Sequence, residues 1–158
     1  MVEVTFWPIL AAGTASVLIG WVWYHPKVFG SVWMRLNNVT PEQVERGKKR
    51  MPLYAFVALL ASMLVAWVMN YVGIAFGIYD WVGAVFELAL WSWLGFVVPT
   101  LLGQVLWEQK PIKLYLINVL YWLVSFVVMA LILVVGSQAL GGMGSYDMQI
   151  DAGEYYME

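Results

Sequence analysis

Two apolar runs, residues 53–79 and 81–107, are separated by one aspartate, Asp80, and each is 27 residues long. About 20 such residues in a helix cross the hydrocarbon core of a bilayer, so each run is long enough to span it with some tilt. Two shorter apolar stretches lie at residues 6–24 and 114–135. The first is 19 residues, roughly 28 Å at about 1.5 Å per residue. With 63% hydrophobic and 11% charged residues, the chain lacks the polar surface a soluble domain of 158 residues needs. The sequence therefore predicts an all-α fold, a polytopic membrane four-helix bundle.

The spans are expected at about 6–24, 53–76, 81–107 and 114–135. Pro8 suits the first turn of a helix, where its missing N–H breaks no bond. The start carries neither the basic residues nor the small-residue cleavage site of a signal peptide, so it reads as a retained first span. Residues 25–52 form a polar connection holding one or two short interfacial or cytoplasmic helices. Within it, Thr40-Pro-Glu-Gln43 has the form of a capping box, with Thr40 as cap and Pro41 at the first helical position. Gly73 and Gly77 suggest that the second span ends before Tyr79 and a tight hairpin follows. Pro99 should kink the third span and free the carbonyl of Gly95. From Gly136 the sequence turns glycine-rich and then acidic, and residues 136–158 read as an acidic non-cytoplasmic tail, solvated or docked on a neighbour.

All eight basic residues fall in two connections. Lys27, Arg35, Arg46, Lys48, Lys49 and Arg50 lie in the first, and Lys110 and Lys113 in the third. Four spans place both connections on one side, and the cationic side of a membrane protein is the cytoplasmic one. Both termini should then face away from the cytoplasm, in a multi-pass protein of the cell (inner) membrane. The first connection sets six cations against Glu42 and Glu45, which suits contact with anionic lipid headgroups. So few basic residues, held at a lipid surface, give no basis for nucleic-acid binding.

Cysteine is absent and His25 is the one histidine. That excludes disulfides, thiolate metal sites, cysteine nucleophiles and a multi-histidine metal centre within one chain. His25 itself, beside Pro26, reads as an interfacial hydrogen-bonding group. No nucleophile–base pair or phosphate loop is recognisable, so no enzyme and no cofactor is expected.

Glu87 is the single ionisable residue well inside a span, and an acid there is costly to desolvate. Asn70 lies at a similar depth on the preceding span and is its expected partner. The pair either locks the hairpin or handles a proton or ligand. Gln104 and Asn118 flank the polar turn 108–113 at matching distances, which predicts an interhelical amide bond. Small residues recur at i, i+4 along Ala12, Ser16 and Gly20, and along Ala58, Ser62 and Ala66. A third line runs Gly83, Glu87, Trp91, Gly95, Pro99 and Gly103. Such lines mark packing faces in membrane helices, within the bundle or between subunits. On this reading Glu87 lies on a packed face, away from lipid.

One stretch has a distinctive spelling: Gly20-x-x-Trp-Tyr-x-Pro-x-x-Phe-Gly-x-x-Trp-Met34. It brings Trp21, Trp23 and Tyr24 to the membrane boundary, then an interfacial segment with Phe29, Val32, Trp33 and Leu36 beside Lys27 and Arg35. The motif and the order of parts around it resemble a family of small prokaryotic four-helix membrane proteins, domain of unknown function 1761. The resemblance covers about residues 6–135 and implies the fold without an activity. The expected role is a structural or accessory membrane component, self-associating as a homo-oligomer or joined to a larger complex. The alternative is a small carrier or ligand-binding protein that uses Glu87.

Overall fold

The computed structural model describes residues 6–76 and 83–154, with side chains described as far as Gly136 except at Ala84. The expected hairpin at Asp80 lies outside the described residues. Helix α1 (Phe6–Trp23) leads into a π-helical turn (Pro26–Gly30) and the short helices α2 (Ser31–Leu36) and α3 (Pro41–Lys49). Helix α4 (Met51–Ala75) returns across the bundle. Helices α5 (Gly83–Ser92) and α6 (Val98–Leu106) follow, joined by a π-helical turn at Trp93–Val97, and α7 (Ile112–Glu154) closes the fold. Four segments are long and apolar enough to cross a membrane: Phe6–Trp23, Met51–Ala75, Val85–Leu106 and Ile112–Gly136.

The local chemistry explains the boundaries. Thr40 accepts from the Gln43 backbone N–H at 3.3 Å, and the Gln43 side chain accepts from the Thr40 N–H at 2.8 Å. This completes the capping box that starts α3. Asn38 and Gln109 adopt left-handed backbone, each with φ of 54°, just past α2 and α6. At Pro99 the chain widens rather than simply bending. The Val98 N–H reaches back five residues to the Trp93 carbonyl, and the Thr100 hydroxyl caps the Phe96 carbonyl. A π turn placed before the ring re-satisfies the backbone that proline disrupts.

Helix α7 continues to Glu154, well beyond the expected end of the fourth span at Val135. Glycine weakens a helix but does not block one, and no proline follows Pro111.

Helices α1 and α7 form the centre. Helix α4 packs on α1, the α5–α6 unit packs on α7, and α4 and α5 touch each other only slightly. At one end of the bundle the core is apolar, built from Ile9, Ala12, Ala66, Met69, Leu88 and Met129 among others. Gly13 and Ser16 of α1 and Ser62 and Ala66 of α4 are buried, whereas Ala58 is exposed. The α1–α4 approach is close: a Cβ on Gly13 would lie 3.1 Å from the Met63 backbone nitrogen. Lipid tails are as apolar as these side chains, so van der Waals fit and hydrogen bonds hold the helices together.

Candidate functional site

The signature motif is a folded unit. His25 adopts extended backbone and its Nδ1 accepts the Lys27 N–H at 3.2 Å, capping the π turn that Pro26 opens. The turn folds Phe29 back onto Trp23, with ring centroids 4.7 Å apart, and α2 sets Trp33 edge-on to Tyr24 at 5.7 Å. Gly30 passes so near the Tyr24 carbonyl that a Cβ would sit 2.1 Å from its oxygen.

The unit docks on α7. Trp23 Nε1 donates to the Ile117 carbonyl at 3.1 Å, and the Tyr24 hydroxyl donates to Asn118 Oδ1 at 3.0 Å. Asn118 Nδ2 in turn donates to Gln104 Oε1 at 3.2 Å. Tyr121 packs against Tyr24 and Trp122, its hydroxyl 3.4 Å from Ser16 Oγ, and Gly20 leaves room for its ring. From the other side of α7, Trp93 Nε1 donates to the Val119 carbonyl at 2.8 Å. One turn beyond Tyr121, the buried Ser125 Oγ has no hydrogen-bond partner among the described residues.

The structure thus joins Gln104 to Asn118 and adds a member that the sequence reading missed, Tyr24. Trp21 is 60% exposed, in keeping with a boundary ring, but Trp23 and Tyr24 turn inward. Replacing Asn118 by Leu should cost about 1–2 kcal/mol, because two polar partners lose their bonds in an apolar setting. Tyr24→Phe should cost less, and the double variant less than the sum. Equilibrium unfolding of the detergent-solubilised protein in sodium dodecyl sulfate measures all three. Strict additivity would mean that the chain of bonds does not couple the helices.

Glu87 is placed differently from the sequence expectation. The inward face of α5 is Val85, Leu88, Ala89 and Ser92, all buried, and Glu87 projects beside it and is exposed. Trp91 is 67% exposed, and a Cβ on Gly95 would meet nothing within 4 Å. The line through Glu87, Trp91 and Gly95 is therefore an outward face. Val85, Leu88, Ala89 and Ser92, and not the glycine line, set the buried side of this helix. Asn70 is 7% exposed on the inner face of α4 and engages other partners; it is not bonded to Glu87.

Glu87 instead lines a cleft of about 400 Å³ where α4 and α5 diverge, together with Val72, Phe76, Leu88, Trp91 and Ser92. Among the described residues no hydrogen bond or ion pair engages its carboxylate; the ion pair found there is Lys48–Glu45, at 2.7 Å on the surface of α3. Lys27, Arg35, Arg46, Lys48, Lys49 and Arg50 are all exposed along the π turn, α2, α3 and the start of α4. No group of three or more histidine or acidic side chains placed to hold a metal occurs among the described residues.

No curated protein and no solved structure matches the chain. A family described as "Protein of unknown function (DUF1761)" matches residues 7–134, which include the whole motif, the amide chain and the Glu87 cleft. That match takes in most of the molecule, and the chain belongs to this family.

Proposed function

We propose that this chain is a non-enzymatic, multi-pass membrane protein that binds, and as a small carrier passes on, a ligand held at Glu87 in the cleft between α4 and α5. The observation that carries the reading is an exposed acid inside a span, on the wall of a ligand-sized cleft, unengaged by any described residue. An acid kept only to lock the hairpin would be expected to have a bond to lock it with. In this reading the protein sits in the cell inner membrane with the cleft and both termini on the non-cytoplasmic side. The six cations from Lys27 to Arg50 lie against anionic headgroups on the other.

Because cysteine is absent, Glu87→Cys introduces a single thiol. A charged, membrane-impermeant maleimide applied to intact cells should label it readily. Leu90→Cys, on the lipid-exposed side of the same helix, should react slowly because thiolate forms only in water. Equal, slow labelling of both would remove the basis for a ligand cleft. Labelling of position 87 only after permeabilisation would reverse the orientation and keep the cleft.

A second reading, a homo-oligomeric or accessory component, is favoured by the outward line of Trp91, Gly95 and Pro99. Native mass spectrometry in mild detergent reports it directly as stoichiometry.

A further inference from the structure

We infer that the Glu87 cleft selects an organic cation carried on an apolar body, an inference that rests on the cleft being a ligand site. The wall chemistry leads to this class. Glu87 supplies one negative charge, and the lysines and arginines lie between Lys27 and Arg50 and at Lys110 and Lys113, beyond the far ends of α4 and α6, so no described basic residue lines the cleft. The charge is left for a ligand to balance.

The neighbours of the acid are rings and hydrocarbon. Phe76 is 77% exposed and Trp91 67% exposed at the cleft, which Val72 and Leu88 also line. The negative face of an aromatic ring attracts a poorly hydrated cation, tryptophan most strongly. A hard inorganic cation needs six or more oxygens around it, and the described side chains offer Glu87 and Ser92 only. An anion is disfavoured by Glu87, and a neutral apolar ligand has no use for it. The volume of about 400 Å³ is in the range of pockets for small organic ligands.

The same chemistry is carried by a free amphiphilic cation and by the ammonium headgroup of a zwitterionic lipid. Two ions of one shape and opposite charge, tetraphenylphosphonium and tetraphenylborate, test for it in neutral maltoside micelles. Purified full-length protein should bind tetraphenylphosphonium saturably and tetraphenylborate not measurably. Glu87→Gln should weaken phosphonium binding about tenfold or more, and Trp91→Ala severalfold, with Trp91→Phe recovering part of it. Helical content and elution volume should stay unchanged, since both side chains are exposed.

Added phosphatidylethanolamine that displaces the phosphonium, where phosphatidylglycerol does not, identifies the lipid headgroup as the source. Indifference to both lipids identifies a free cation. Equal binding of the two ions, no phosphonium binding, or full affinity in Glu87→Gln overturns the inference. If position 87 still labels from water in that case, the cleft stands and only its ligand class is wrong.

Discussion

Gly30→Ala should be more damaging than a methyl group added at Gly13, Gly20, Gly47, Gly95, Gly103 or Gly136. The backbone of Gly30 is ordinary right-handed helix, φ −60° and ψ −40°, so conformational freedom is not what the position requires. It requires absence of a Cβ. The added carbon would lie 2.1 Å from the Tyr24 carbonyl oxygen and 2.9 Å from the His25 carbonyl carbon, and both obstacles are backbone. No rotamer change relieves such a clash; the π turn must open. Opening it would unseat Phe29 from Trp23 and Trp33 from Tyr24, and with Tyr24 the bond to Asn118. The expected loss is about 3 kcal/mol or more, at the upper end for overpacking. Unfolding in sodium dodecyl sulfate should show it, with quenched or shifted tryptophan emission reporting the undocked turn. A loss below about 1 kcal/mol would mean that the turn is not locked to the bundle.

Gly13→Val should rank next. Its Cβ would meet the Met63 side chain at 2.7 Å, which can move, but also the Met63 nitrogen and Cα at 3.1 and 3.2 Å, which cannot without parting α1 from α4. The two further methyl carbons of valine make that parting necessary, and a cost of about 2–3 kcal/mol follows. Gly95→Ala is the matched control. Nothing lies within 4 Å of the added carbon there, so alanine should be neutral or gain up to about 1 kcal/mol from its better helix propensity. A marked loss at Gly95 that depends on protein concentration would instead show that a second copy covers that face.

Which residues come level with each other was legible at one pair of helix ends, and azimuth around each helix was not. Counting residues from the polar turns put Gln104 opposite Asn118, and there the two amides also face each other. The same count put Glu87 level with Asn70, yet the two point to different sides. The small-residue rule failed on α5 because four residues of suitable size and spacing, Val85, Leu88, Ala89 and Ser92, outcompete the glycine line for the interior. At Pro99 the sequence announced a disturbance but not its form, since a kink and a π turn answer the same missing N–H. The motif was visible as spelling, whereas its meaning depends on Ile117, Asn118 and Tyr121, partners that no local pattern connects to it.

That long reach has a bearing on biogenesis. The bonds from Trp23 to Ile117 and from Ser16 to Tyr121 join positions 94 and 105 residues apart. At a ribosomal pace of about 5–20 residues per second, the first helix waits roughly 5–20 seconds for its mate to be synthesised. During that interval its indole, phenol and serine are in lipid without their final acceptors, and α4 is the neighbour available to hold it. Assembly is therefore ordered as a clasp: α1 and α4 pair early, and α7, synthesised later, fastens them.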